Sequence, residues 1–192
     1  MVVKPAGLLA VPGRGDDKAD CVAARVQALH PQARVVHRLD MATSGLMLMA
    51  HGRQVQRQLS IAFARREVHK RYVAVVRGRL SATQGEIDLP LSADWPARPK
   101  QKVDAAQGKP SLTRWRVLAT NAANDTTRVE LEPVTGRSHQ LRVHLLAIGH
   151  PIVGDGLYAP DGGERLMLHA SALRFAHPRT GCDIELCSEP PF

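Results

Sequence analysis

The spacing of apolar and polar positions predicts many short strands, a few helices and frequent turns. Val2-Val3 reads as a strand end before the Lys4-Pro5-Ala6-Gly7 turn. Asp20 stands where a helix cap belongs, ahead of Val22, Val26 and Leu29 on one face, and Pro31 follows the helix end. Val35-Val36 ends a strand, and Gly45–Ala50 is an apolar run of buried-strand length. Arg53–Arg66 is amphipathic, with Val55, Leu59, Ala62 and Phe63 on its inward stripe. Tyr72–Leu80 and the alternating Gly85–Leu89 read as a pair of strands. Asp94–Lys102, with Pro96, Pro99 and three cations, reads as a stiff basic loop. Leu112–Leu118 and Arg128–Val134 alternate on either side of an Asn121–Asp125 turn. After a Gly154-Asp155-Gly156 turn, Leu166–Phe175 and Asp183–Cys187 add two more strands. Strands outnumber helices and hairpins dominate, which predicts an α+β fold: a mixed, mostly antiparallel sheet with flanking helices. No repeat, low-complexity segment or linker divides the chain, so residues 1–192 read as a single domain.

Two stretches carry candidate chemistry. The first is Val36–Met49, where a polar segment holding one carboxylate, Asp40, interrupts apolar sequence on both sides. Arg38 lies just before it and Thr43-Ser44-Gly45 turns the chain after it. Taken alone, such an Asp caps local backbone donors more often than it does chemistry. The second runs from a helix start at Ser138 to a stop at Gly149. Leu141, Val143, Leu145, Leu146, Ala147 and Ile148 leave this helix almost no polar face, which predicts burial. Arg142 sits in its middle and stays charged, so it needs a carboxylate, because breaking a buried pair costs roughly 3–5 kcal/mol. Asp40 is the best candidate for that partner. The pairing would hold Asp40 ionised and aimed, as a nucleophile or base requires, and a purely structural ion pair is the alternative.

Charge narrows the class of partner. The 26 Lys and Arg outweigh 18 Asp and Glu, giving a net charge of +8 and favouring nucleic acid over an anionic membrane. Arg53, Arg57, Arg65 and Arg66, continued by Lys70 and Arg71, share one sign, so phosphate contact competes evenly with a plain solvated face. Aromatics make up only 4% of the chain, which argues against the stacking surface of single-strand binders. Cys21, Cys182 and Cys187 are too few and too scattered for a disulfide framework or zinc site, and read as reduced thiols. His139 and His144 lack the spacing of a helical zinc pair, and His37 reads as ordering its loop through hydrogen bonds. Gly45–Ala50 is far too short to cross a bilayer, and the N-terminus does not read as a signal peptide, so a cytoplasmic protein is expected.

His37-Arg38-Leu39-Asp40-Met41-Ala42-Thr43-Ser44-Gly45-Leu46 resembles the active-site signature of the RluA family of pseudouridine synthases. Lys4-Pro5-Ala6-Gly7-Leu8, Lys70-Arg71-Tyr72-Val73-Ala74, Thr135–Arg142 and Leu168-His169-Ala170 match the family's other motifs in the same order, across nearly the whole chain. Val11–Arg14 and Asp94–Lys102 are closer still to a dual-specificity member acting on 23S rRNA and on the tRNA anticodon stem-loop.

The resemblance implies an isomerase that detaches a uracil from its ribose, turns it and rejoins it through carbon. No atom or electron is gained, so neither cofactor nor metal is expected. It implies Asp40 as the catalytic nucleophile or base, Arg142 as its partner, and Tyr72 as the ring stacking on the target base. Arg38 would be the wedge replacing the flipped base, and Leu168 the apolar pocket wall. Strand packing explains Tyr72 about as well on its own, a local salt bridge would explain Arg38, and core packing would explain Leu168. The family's optional S4-type RNA-binding domain has no counterpart here, and a monomer acting on RNA is expected. A nucleoside hydrolase would reuse the same Asp and Arg but release free uracil. A non-catalytic ribosome-assembly factor would explain the charge but not a cation within an apolar helix.

Overall fold

Short runs of β-branched and apolar residues between turns give twelve strands and three α-helices among the described residues. The computed structural model describes residues 1–15, 18–160 and 163–192. In chain order the first elements are β1 (Val2–Lys4), α1 (Val22–Leu29), β2 (Ala33–Val35), β3 (Ser44–Met47), β4 (Met49–His51) and α2 (Arg53–Ala64). They are followed by β5 (His69–Arg77), β6 (Gln84–Asp88), β7 (Leu91–Ala93), β8 (Gln101–Val103), β9 (Leu112–Asn121) and β10 (Thr126–Pro133). Last come α3 (Gln140–Ala147), β11 (Leu168–Ala176) and β12 (Asp183–Cys187). The chain divides into two compact units. One is Met1–Lys70 with His169–Pro191; the other is Arg71–Leu168 with Phe192.

In the first unit β3 pairs antiparallel with β1 and parallel with β11, and β11 pairs antiparallel with β12. The parallel contact brings Gly45 opposite Ala170. There Gly45 has φ +117°, and a Cβ would run into the Ala170 backbone, so only glycine lets the strand after the Asp40 loop approach β11. Leu46, Leu48, Ala50, Leu59, Val68, Leu173 and Phe175 form the core. Val55, Ala62 and Phe63 pack against it from α2, as the inward stripe predicts. Each fully buried Leu contributes about 1.5–3 kcal/mol.

In the second unit β5, β10, β9 and β6 pair antiparallel in that order. Burial alternates along β10, with Thr127, Val129, Leu131 and Pro133 inward. A bulge at Arg128/Val129 interrupts the β9–β10 hairpin, and β7 with β8 forms a separate small hairpin. The mixed, mostly antiparallel α+β architecture is the expected one.

Several local expectations are corrected. Gly45–Ala50 is two strands, because the Leu48 N–H donates to His37 Nε2 at 2.8 Å instead of to a ladder. The chain changes partner there, from β1 and β11 to β2. Cys21 caps α1 through its sulfur, which accepts from Ala24 N–H, while Asp20 forms an exposed ion pair with Arg25. β6 pairs with β9 rather than with the Tyr72 strand. α3 begins at Gln140 behind His139, which takes a left-handed φ of +53°, two residues later than Ser138. Its first six residues are buried, but Leu146, Ala147 and Ile148 are exposed, so the helix is not apolar-covered to its end.

Candidate active site

Asp40 lies half-buried within the irregular segment between β2 and β3. Its own carbonyl accepts from Thr43 N–H, which closes the turn. The next carbonyl, of Met41, accepts from both Gly7 N–H at 2.9 Å and Lys4 Nζ at 2.8 Å. Lys4 is completely buried, and its ammonium spends its three protons on Pro5, Leu8 and Met41 carbonyls, each at 2.8 Å. Burial pushes the Lys4 pKa down to about 8, against the opposing pull of the Asp40 charge. The Lys4-Pro5 turn and the Asp40 loop are thus one hydrogen-bonded body, with a cation within electrostatic reach of the carboxylate.

Two histidines fix the flanks of the same loop. The His37 ring stacks on Phe63 at 4.4 Å, and burial, aided by the charge of Lys70, pushes its pKa down to about 4. It is therefore neutral at pH 7, with Nε2 free to accept from Leu48, and it orders the loop as expected. Ser44 Oγ meets His169 Nδ1 at 2.9 Å, and His169 Nε2 meets Ser188 Oγ at 3.1 Å, linking β3, β11 and the chain after β12. Arg38, between His37 and Asp40, is exposed.

The remaining site candidates belong to the second unit. Tyr72 is half-buried on β5 opposite Leu131 of β10, and Leu168 is buried at the start of β11. Arg142 is buried, as expected, and a carboxylate answers it. That carboxylate is Asp155: Nε donates to Oδ2 at 2.8 Å and Nη2 to Oδ1 at 2.6 Å. Asp155 also accepts from the Leu157 and Tyr158 amides at 3.1 Å. Burial alone would raise its pKa, but the Arg142 guanidinium and the two amides outweigh burial and hold it below the usual carboxylate range. Gly154, at φ +73°, makes this turn; a Cβ there would collide with the Arg165 carbonyl.

Asp155 and Tyr158 were not candidates from the sequence. An Asp between two glycines reads as a turn, and nothing local says that its carboxylate faces inward. Tyr158 lays its ring against Arg142, 4.9 Å away, while its hydroxyl accepts from Gln101 N–H and bonds to His139 Nδ1, both at 2.7 Å. On the other flank of α3, Gln140 donates to Leu112 O and to Thr113 Oγ1. Thr113 in turn bonds to His144 Nδ1, and His144 Nε2 reaches Leu89 O. Burial lowers the His144 pKa, so the chain of bonds runs through a neutral ring. Among the described residues, no group of three His, Cys, Asp or Glu is placed to hold a metal ion.

Residues 1–147 match the family model described as RNA pseudouridylate synthase. The chain belongs to that family. It is 52% identical over 185 residues to the dual-specificity RNA pseudouridine synthase RluA of Escherichia coli K12, covering 94% of this chain and 84% of that protein. Against the Yersinia pestis protein of the same name, identity is 49% over 196 residues, covering 100% of this chain and 95% of that protein. The solved structure of human RNA pseudouridylate synthase domain containing 1 superposes with a TM-score of 0.78 at 30% identity, over 100% of this chain and 87% of that one. The protein is an RNA pseudouridine synthase, and RNA is its class of substrate. No helix among the described residues is long and apolar enough to cross a membrane.

Proposed function

We propose that the enzyme converts uridine to pseudouridine in two RNA stem-loops, one in 23S rRNA and one in the tRNA anticodon arm, with Asp40 acting on the ribose. The observation that carries this reading is the construction of the Asp40 loop. A half-buried carboxylate stands on a segment whose backbone is tied down by Lys4, Gly7 and His37, with an exposed Arg38 two residues away. A carboxylate held this way loses little freedom on reaching the sugar, which is what a nucleophile or base requires. The dual target rests on the names of the relatives at 52% and 49% identity.

In this reading Arg38 enters the RNA stack when the target base leaves it, and Tyr72 stacks on the extruded uracil. Leu168 is the apolar wall beside the uracil, and Asp155 holds Arg142 charged and in place. Loops suit such an enzyme because their bases are partly unstacked already, which lowers the few-kcal/mol cost of extrusion. The reaction consumes no cofactor. The residues form one cytoplasmic catalytic domain that acts as a monomer. The test supplies both isolated stem-loops at equal concentration and maps pseudouridine and released uracil. Modification of both loops without free base is expected. Modification of only one makes the enzyme single-specific, and free uracil makes it a hydrolase.

A further inference from the structure

The tip of the β7–β8 hairpin carries an arrangement that the fold does not need. Trp95 is 68% exposed, and the Arg98 guanidinium lies over its ring 3.6 Å from the centroid. The tip is closed by backbone bonds from Asp94 to Lys100, Ala97 to Asp94 and Lys100 to Ala97. Its base is fastened by Gln101 N–H donating to the Tyr158 hydroxyl, the same tyrosine that lies against Arg142. Arg98, Lys102, Lys109 and Arg137 are exposed cations of the same unit, while Asp104 is occupied by Ser92 and by the Ala106 and Gln107 amides. An indole covered by a cation on one face and otherwise exposed, with positive charge along the chain, fits a base attached to a polyanion.

We propose that Trp95, backed by Arg98, is a stacking platform for an unpaired base of the RNA substrate. The proposal rests on the RNA-modifying reading above and names a contact within it. One face of the indole is covered by Arg98, so a base occupies the remaining surface, and Arg98 and its neighbours meet the adjoining phosphates. The low aromatic content of the chain excludes an extended platform, but a single indole on a fixed hairpin is enough for one base.

The test uses the full chain carrying Trp115→Phe, so that Trp95 is the only indole, titrated with the tRNA anticodon stem-loop. Emission is expected to fall as the RNA binds, with binding followed independently by filter retention. Heparin, which offers charge without bases, is expected to bind and leave emission unchanged. In the otherwise native enzyme Trp95→Ala should raise KM about tenfold with kcat unchanged, and Trp95→Phe should recover most of the loss. Unchanged emission at RNA saturation, equal quenching by heparin, or an unaltered KM for Trp95→Ala overturns the proposal. The emission arm needs only binding. An RNA that quenches Trp95 yet stays unmodified would support the platform while defeating the proposed function.

Discussion

Arg142 and Asp155 form a two-bonded ion pair, 2.8 and 2.6 Å long, between residues that are each almost wholly buried. Both charges are out of water, so removing one leaves the other buried without its two-bonded partner. Asp155→Asn should therefore cost about 3–5 kcal/mol, which for a chain of this size lowers Tm by at least about 6 °C. Neutralising both partners together, with Arg142→Met added, should cost less than the sum of the two single changes. Thermal unfolding of the three variants measures this. A Tm unchanged in Asp155→Asn would contradict the burial of the pair.

Asp40→Asn should abolish pseudouridine formation and leave RNA affinity within a few-fold of wild type. Loss of a covalent or proton-transferring carboxylate removes the chemical step, whereas one charge changes phosphate binding only slightly. Product mapping beside filter binding separates the two. Turnover near wild type would remove Asp40 from the mechanism.

The sequence was most legible where a residue's local pattern and its tertiary role agree. Val55, Leu59, Ala62 and Phe63 are spaced at helical intervals, and the core they meet needs nothing more specific than apolar volume. The β9–β10 hairpin was likewise visible from alternation around a polar turn. Pairing choices were not. Gln84–Asp88 alternates equally well for either neighbour, and only the three-dimensional path sends it to β9. At Leu48 the strand ends because a histidine eleven positions away takes its N–H, which no period in the sequence records.

The candidate site divides in the same way. Asp40 and Arg142 stand out because a lone charge in apolar sequence is costly. Asp155 does not, because its glycine neighbours disguise a buried carboxylate as an ordinary turn. The demand of Arg142 for an anion was legible; which residue meets it in the second unit was not.

Lys4→Met should weaken catalysis and stability together. The substitution strips a proton donor from three carbonyls, and Met41 O keeps only its bond from Gly7. A fully buried carbonyl left without a donor costs about 1–3 kcal/mol, and these three are part-buried, so a total loss of roughly 2–4 kcal/mol is expected. Because Met41 adjoins Asp40, kcat should fall while KM changes little. Unaltered kcat and Tm would mean the Asp40 loop holds its shape without the ammonium.

His37 gives the fold an acid-sensitive point. Its pKa is about 4 in the folded chain, below the ordinary 6.5, so the unfolded chain binds the proton first as pH falls. The stability associated with the neutral ring is full above about pH 6.5 and is lost progressively down to about pH 4. The loss is on the order of 2–3 kcal/mol, given that the ring is only half-buried. His37→Gln can still accept from Leu48 N–H without titrating. Denaturant unfolding at pH 7 and pH 4 should show a smaller pH effect in the variant than in wild type, and equal effects in both would refute the assignment.

RNA affinity should depend steeply on salt. Arg53, Arg57, Arg65 and Arg66 are exposed on and just after α2, and Arg98 and Lys102 are exposed in the β7–β8 hairpin. Arg65 has a carboxylate nearby, Glu67 at 4.0 Å, but a pair that open to water contributes little and leaves the cation available to phosphate. Each phosphate neutralised on single-stranded RNA contributes about −0.7 to the slope of log affinity against log salt. Replacing Arg53 and Arg57 together by Ala should flatten the slope by up to about 1.4, two contacts at that value, without changing kcat at saturating RNA. Filter binding of the anticodon stem-loop between 50 and 200 mM salt, roughly the range over which such contacts are lost, measures the effect. An affinity indifferent to salt would assign binding to shape and stacking, and an unchanged slope in the double variant would remove α2 from the RNA-facing surface.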